Sequence, residues 1–324
     1  MNTWMLYGAA GHTGALIAAH ARDRGHRPLL AGRGAQPVTE LAGRLDLPHQ
    51  VLGLDDPAVL DAALADVNLV LNAAGPFLRT AAPLAEACLR TGTHYLDIGN
   101  ELQVFTALYD LHDRARQAGV AVIPGTGFGV VATNCLARYV SDQVGGAQHL
   151  DVAARGAAAA QGPGIAASIR ENLPNGGWIR QAGRLRPQPL GSGITTITLP
   201  DGPCAVLPFP TGDLEAAFRA TSAPDITAYS PVPAEPHASA VPGPRAHRSF
   251  GWARATGPGG DAQAWLHAGE SYAFTAAASI RAVEETLARS LRGALSPAEA
   301  FGPGFILTIP GTTRTGAIPA ETAA

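Results

Sequence analysis

A glycine-rich stretch near the start of the chain could hold a diphosphate. It reads Gly8-Ala9-Ala10-Gly11-His12-Thr13-Gly14, between an apolar run at 4–7 and a helical pattern. Glycines at a strand-to-helix turn let the backbone approach a phosphate closely, and the start of a helix favours an anion. The stretch predicts a dinucleotide site at Gly8, Ala10, Gly11, His12, Thr13 and Gly14. The glycines alone also fit an ordinary strand-to-helix turn.

A positive charge follows the second predicted strand, which ends Ala31-Gly32-Arg33. Enzymes that use NAD commonly carry an acidic residue here, which accepts the ribose 2′-hydroxyl, whereas an arginine suits a 2′-phosphate. Gly32 and Arg33 therefore predict NADP(H) rather than NAD(H). A solvated arginine at the end of a strand is the alternative interpretation.

Small residues also follow the fourth predicted strand, in the run Asn72-Ala73-Ala74-Gly75-Pro76. In a parallel sheet this strand end lies beside the first one, so the run is expected to contact the same cofactor. Asn72, Ala73, Ala74, Gly75 and Pro76 complete the predicted cofactor-binding set. A plain turn that carries Gly-Pro is the alternative.

Candidate proton donors stand on the fifth predicted strand. All 23 cationic side chains are arginine, so a lysine base, a Schiff base and a P-loop lysine are excluded. His94, Tyr95 and Asp97 are the predicted catalytic residues, because ligands bind beyond the carboxyl ends of parallel strands. Alternation along the strand puts Tyr95 and Asp97 on one side, and a desolvated Asp97 could act as a general acid. The alternative is that Asp97 caps the next turn while Tyr95 packs in the core.

The elements that carry these residues alternate between strand and helix. Strands are predicted at 4–7, 27–31, 49–54, 68–72, 94–98 and 120–123, with helices at 13–24, 38–44, 57–65, 83–91 and 104–118. Such alternation predicts an α/β fold, a doubly wound parallel sheet of the Rossmann type. Beyond about residue 130, strands at 150–155, 179–186, 193–199, 226–232 and 249–255, with helices at 165–173 and 213–221, predict a largely antiparallel α+β domain.

An amphipathic helix is predicted at 271–293, and its long apolar stripe needs a partner surface. The division expected from this pattern has three segments. Residues 1–130 form the Rossmann domain, residues 131–269 form an inserted α+β domain for substrate binding or oligomerisation, and residues 270–324 return to pack on the Rossmann domain.

Composition narrows the class of protein. A net charge of −3 gives no reason to expect nucleic acid or an anionic membrane as a partner. The three cysteines form no CxxC pair, and no metal site is predicted. The start of the chain lacks a basic segment before an apolar run, so a cytoplasmic location is expected. Cys135, at the predicted start of a helix, is interpreted as a small core residue, with a reactive thiol as the alternative.

Several of these motifs, with Thr93 to Asp97 and the run Gly125 to Ala137, resemble the saccharopine dehydrogenase-like NADP-binding family. The likeness is greatest to its bacterial branch, which includes trans-acting enoyl reductases. The resemblance implies a two-domain reductase with NADPH between the domains. Gly127 and Phe128 stand where the family's saccharopine-forming members carry an acidic residue, so a substrate of the saccharopine type is not indicated.

The function expected from the residues and the resemblance is hydride transfer between NADPH and a small or acyl-type organic substrate, including enoyl reduction. A protein that binds NADP(H) as a sensor or accessory, without chemistry of its own, is the alternative, because binding motifs do not reveal catalysis. A small-molecule substrate is the expected partner, and a homodimer is left open.

Overall fold

The computed structural model describes residues 3–157, 176–189, 191–232 and 248–316 of the chain. The helix predicted at 165–173 lies outside these residues. The described part contains two β-sheets, and the chain passes between them more than once.

The first sheet is parallel and follows the predicted alternation. Its strands are β1 (Trp4–Tyr7), β2 (Leu29–Gly32), β3 (His49–Val51), β4 (Leu69–Asn72), β5 (His94–Asp97) and β6 (Ala121–Ile123), and a short strand from late in the chain joins its edge. From that edge the order is late strand, β6, β5, β4, β1, β2, β3. This is the Rossmann order, so the predicted fold class is confirmed.

Helices cover both faces of this sheet. They are α1 (His12–Asp23), α2 (Ala35–Leu45), α3 (Pro57–Leu64), α4 (Phe77–Thr91), α5 (Leu102–Tyr109) and α6 (His112–Ala118). A single helix was expected over 104–118, but the structure has two, with Asp110 and Leu111 between them. Strands β1 and β4 are buried along their whole length and are largely apolar, because a parallel sheet is covered on both sides.

Helix α7 (Phe128–Gln143) leads from the first sheet to the second. The second sheet contains β7 (His149–Arg155), β8 (Gly177–Gln181), β9 (Arg184–Gln188), β10 (Thr195–Leu199), β11 (Gly202–Pro208), β12 (Asp225–Pro231), β13 (Ser249–Gly257) and β14 (Gly260–Ala268), with helix α8 (Asp213–Thr221) before β12. Its pairs are antiparallel except for β7 with β12. The predicted α+β character is confirmed.

Two features of this sheet were missed. The strand predicted over 179–186 is the hairpin of β8 and β9, whose turn places Ala182 and Gly183 at positive φ. Strands β11 and β14 were not predicted, because Pro203 and Pro208 interrupt one of them and a Gly-Gly pair opens the other.

The last segment of the chain contacts both sheets. Helix α9 (Ser271–Ala288) packs against α1 and α7, and β15 (Gly293–Ala294) pairs with β6 as the late strand of the first sheet. Helix α10 (Pro297–Phe301) packs on α7 and α8, and β16 (Thr313–Thr315) pairs with β14 in the second sheet. The structure therefore differs from the expectation that all of 270–324 packs on the Rossmann domain, because β16 is hydrogen-bonded to the other sheet.

Candidate functional site

The glycine-rich turn between β1 and α1 is held in a conformation that side chains would obstruct. Gly8 has φ +80°, and a Cβ atom there would lie 2.6 Å from the backbone nitrogen of Ala74. A Cβ atom at Gly14 would lie 2.2 Å from the carbonyl oxygen of Gly8. The glycines thus let the turn, the first helix and the β4 end approach one another closely.

Helix α1 begins beside this turn without a side-chain cap. Gly11 is its N-cap residue and has no side chain to accept a hydrogen bond from the first turn. The unbonded N–H groups at a helix start carry a partial positive charge and suit an anion such as a diphosphate.

A cavity of about 710 Å³ opens over the turn. Its lining includes ten residues of the predicted cofactor set, namely Gly8, Ala10, Gly11, His12, Thr13, Gly32, Arg33, Ala73, Ala74 and Gly75. A volume of this size is typical of a pocket for a cofactor or a ligand of similar size. The three strand ends that the sequence motifs singled out therefore border one cavity.

Three predicted cofactor residues do not line the cavity. Gly14 lies beneath the turn against the backbone of Gly8 and Ala9. The side chain of Asn72 is buried, and its oxygen accepts a hydrogen bond from the Ala74 N–H (3.0 Å). Asn72 thus orients the backbone that borders the cavity. Pro76 is the N-cap residue of α4.

Five further residues line the cavity and were not predicted, namely Tyr7, Gly34, Pro37, Val38 and Tyr272. Four of them adjoin predicted residues on β1 or at the β2–α2 junction. Tyr272 is different, because it comes from the first turn of α9, far away in sequence. No local pattern around Tyr272 could have indicated that position.

The side chain of Arg33 is exposed at the end of β2. Within the described part of the chain it forms no hydrogen bond or ion pair, so its guanidinium is available to a ligand. Its charge also acts on Tyr7, whose pKa burial raises to about 12 while Arg33 opposes that rise.

Asp97 lies at the carboxyl end of β5 and is completely buried. One carboxylate oxygen accepts hydrogen bonds from the N–H groups of Gly99 and Gly125, both at 2.9 Å. The other accepts from the Tyr95 hydroxyl at 2.9 Å. Burial raises the pKa of Asp97 to about 6, although these donors act in the opposite direction.

Tyr95 and Asp97 share one side of β5, as strand alternation predicted. The Tyr95 hydroxyl also accepts a hydrogen bond from the Asn72 amide (3.2 Å), and burial raises its pKa well above the ordinary value. Neither side chain lines the cavity. Their contacts match the alternative interpretation, in which Asp97 holds the turns and Tyr95 packs in the core.

His94 begins β5, at the end of the strand away from the cavity. Its Nδ1 accepts a hydrogen bond from the Ala121 N–H (2.9 Å), and burial lowers the pKa of the ring. The structure therefore does not bring His94 together with the cofactor-binding residues. The reason is the direction of the strand, because the first residue of a parallel strand lies at the opposite edge of the sheet from the last residue.

Other candidate chemistry receives little support from the described residues. Cys135 is completely buried, and burial raises the pKa of its thiol to about 12, as expected for a core cysteine. In the ranges that the structure describes, no three His, Cys, Asp or Glu side chains come close enough to hold a metal ion. No described helix is long and apolar enough to span a bilayer.

The sheet order, the glycine turn and the cavity define a dinucleotide-binding domain of the Rossmann class. Residues 4–123 match the family model of the saccharopine dehydrogenase NADP binding domain. This part of the chain is therefore similar to the NADP-binding domains of the saccharopine dehydrogenase type, and the resemblance drawn from the motifs is confirmed.

Curated relatives agree with this assignment. A trans-acting enoyl reductase of Mycobacterium leprae (strain TN) is 34% identical over 138 residues, which are 40% of this chain and 33% of that protein. The Mycobacterium ulcerans (strain Agy99) trans-acting enoyl reductase is 33% identical over 132 residues, 38% of this chain and 32% of that protein. The matches thus span about a third of the length of these relatives.

A solved structure extends the similarity in fold to nearly the whole chain. Apo saccharopine dehydrogenase (L-Glu forming) from Saccharomyces cerevisiae superposes with a TM-score of 0.65, covering 97% of this chain and 100% of that one. The two sequences are 12% identical, so the match concerns the fold alone.

Proposed function

We propose that this protein is an NADPH-dependent reductase that transfers hydride from the cofactor to a small or acyl-type organic substrate. The observation that carries the proposal is the cavity in which the glycine turn and the exposed Arg33 face the same space. The turn suits the diphosphate and Arg33 suits the 2′-phosphate, so together they fit NADPH.

Enoyl thioesters are the first substrate class to examine. The relatives matched at 33–34% identity are named trans-acting enoyl reductases, which supports this choice. In such a reaction the hydride adds to the β-carbon of the double bond and a proton to the α-carbon. Asp97 stays a predicted source of that proton. Its hydrogen bonds to Gly99, Gly125 and Tyr95 support the structural alternative, so a donor outside the predicted set is also compatible with the proposal.

The alternative, an NADP(H)-binding sensor or accessory protein, has one observation in its favour. None of the predicted acid–base residues, His94, Tyr95 and Asp97, lines the cavity. Oxidation of NADPH in the presence of an enoyl thioester separates the two functions. Turnover supports the reductase, whereas tight NADPH binding with no turnover across enoyl and carbonyl substrates supports the accessory role.

We also propose that the chain divides into a Rossmann domain (1–130), an inserted domain (131–269) and a return segment (270–324). Strand β16 is the exception within the return segment, because it pairs with the second sheet. We also propose a cytoplasmic location and a small-molecule substrate, without nucleic acid as a partner. A homodimer is an outcome that light scattering of the purified protein would detect.

Replacing Arg33 tests the cofactor assignment. A charge-assisted contact to phosphate contributes about 1.5–3 kcal/mol, so Arg33→Ala should weaken NADPH binding by about 10- to 150-fold. NADH binding should hardly change, because NADH lacks the 2′-phosphate. Titration of both cofactors by calorimetry measures the effect. Arg44→Ala, on the exposed part of α2, is the matched control. Equal affinities of the unmodified protein for NADPH and NADH would contradict the proposal.

A further inference from the structure

Tyr272 lines the nucleotide cavity from outside the matched NADP-binding domain. It is the second residue of α9, whereas every other residue of the lining lies between Tyr7 and Gly75. The cavity therefore has one wall that the first 123 residues do not supply.

The first turns of α9 are fixed in place by contacts on each side of Tyr272. Glu270 caps the helix by accepting a hydrogen bond from the Ala273 N–H (2.9 Å). Thr275 accepts one from the Phe128 N–H (3.1 Å), and the Phe274 ring meets the Phe128 ring edge to face at 5.3 Å. The start of α9 is thereby joined to the start of α7, so the position of Tyr272 is determined by the fold.

The ring of Tyr272 also meets the cofactor turn directly. It packs edge to face on the ring of His12, with 4.8 Å between the ring centres. His12 is the first residue of α1, where the unbonded N–H groups point toward the expected diphosphate. The aromatic pair therefore stands beside the helix start that would hold the diphosphate.

The remaining lining gives the cavity a direction. Arg33, Gly34, Pro37 and Val38 form one end, next to β2, and Arg33 assigns this end to the adenosine 2′-phosphate. Ala73, Ala74 and Gly75 form the other end, next to β4. Phe274 and Thr275, next to Tyr272 on α9, contact Phe128 at the start of α7, which follows β6. Strand β6 lies on the β4 side of β1, so Tyr272 is expected toward this second end. That end is left for the nicotinamide riboside.

We propose that Tyr272, braced by His12, forms the wall of the nicotinamide half of the cofactor site. The inference rests on the proposed function. The flat ring contributes apolar contact to the nicotinamide riboside, and the edge-to-face contact with His12 holds it in that orientation. Neighbouring Ser271 lies close to Gly156, directly after β7, so this wall stands where the second sheet approaches the cofactor.

Two ligands test the proposal. NADPH contains both halves of the cofactor, and adenosine 2′,5′-bisphosphate contains only the half assigned to Arg33. Tyr272→Ala should weaken NADPH binding by about tenfold, the loss of an aromatic contact, while adenosine 2′,5′-bisphosphate binds within about twofold of the unmodified protein. Tyr272→Phe is the matched control and should retain NADPH binding, because it keeps the ring.

The outcomes are distinguishable. Equal weakening of both ligands, or no change for either, would overturn the role of Tyr272 and leave the proposed function intact. If the unmodified protein binds neither ligand, the proposed function fails and this inference fails with it. Tyr272→Leu keeps apolar volume without the ring and serves if the alanine variant does not fold, as judged by thermal unfolding. His12→Ala should weaken NADPH binding much less in the Tyr272→Ala variant than in the unmodified protein, because the ring that His12 orients is then absent.

Discussion

Arg33 and Asp97 occupy comparable places at the carboxyl edge of one parallel sheet, yet their surroundings are opposite. Arg33 follows β2, is exposed, and has no hydrogen bond or ion pair within the described residues. Asp97 ends β5, is completely buried, and accepts three hydrogen bonds from protein groups. Position at a strand end thus makes a residue a candidate for function. Whether its hydrogen-bonding capacity is already used by the fold decides whether it can serve a ligand.

The largest effect on cofactor binding is expected at the glycine turn between β1 and α1. Gly14→Ala places a Cβ atom 2.2 Å from the Gly8 carbonyl oxygen, so the turn must shift. We expect NADPH affinity to fall by about 100-fold or more, since overpacking of this kind costs about 1–3 kcal/mol and also displaces the groups that bind the diphosphate. Calorimetry with NADPH measures the loss.

Gly43→Ala is the matched control for that substitution. Gly43 lies within α2 with open space around its Cβ position, so alanine there should stabilise the helix by about 0.5–1 kcal/mol and leave NADPH binding unchanged. Unaltered NADPH binding by the Gly14 variant would show that the site tolerates a displaced turn. The glycines would then mark an ordinary strand-to-helix turn rather than one shaped for the cofactor.

The next largest effect is expected at Asp97. Asp97→Ala leaves three buried donors without an acceptor, namely the N–H groups of Gly99 and Gly125 and the Tyr95 hydroxyl. Each such donor costs about 1–3 kcal/mol, so the free energy of unfolding should fall by about 3 kcal/mol or more in chemical denaturation.

Asp97→Asn separates the structural role from a catalytic one, because its amide oxygen can still accept from both N–H groups. Turnover per folded molecule should then stay close to that of the unmodified protein. A fall of about 10²–10⁴-fold in turnover, with folding and NADPH affinity preserved, would instead establish Asp97 as the general acid. The claim that Asp97 serves the fold, whereas Arg33 serves a ligand, would then be wrong.

The smallest effect concerns pH. Burial raises the pKa of Asp97 from 3.8 to about 6, so between these values the folded protein holds a proton that the unfolded chain has released. Stability from this group is therefore present below pH 3.8 and is lost as the pH rises through 6, by up to about 3 kcal/mol. Comparing unfolding free energies of the unmodified protein and Asp97→Asn across this range isolates the contribution. An identical pH dependence in both would contradict it.

Sequence patterns predicted the first sheet better than the second for a physical reason. Strands β1, β2 and β4 are short, largely apolar runs at regular intervals, because a parallel sheet is buried on both faces. Strands β8 to β11 are partly exposed and contain prolines and tight turns, so their pattern is weak. The predicted cofactor residues could be selected because they form three short runs, each directly after a predicted strand, and because the glycines among them meet a backbone requirement.

The place of Tyr272 in the cavity lining was not predictable. Tyr272 reaches the cavity only because α9 packs against α1, and nothing in its neighbourhood specifies that contact. His94 is a different case. Its type suggested chemistry, but as the first residue of β5 it lies at the edge of the sheet away from the cavity. The sequence pattern placed His94 in a strand correctly, but the prediction did not take the direction of that strand into account.

The return of β15 to the first sheet has a consequence for how the chain is made. Gly293 and Ala294 pair with Ala121 and Val122, about 170 residues earlier, after the chain has built most of the second sheet. During vectorial synthesis on the ribosome, β1 to β6 emerge long before the strand that covers the β6 edge. Until then that edge exposes unpaired N–H and C=O groups, which are a template for pairing with other chains. The β6 edge of the nascent protein is thus open to aggregation until α9 and β15 have been translated.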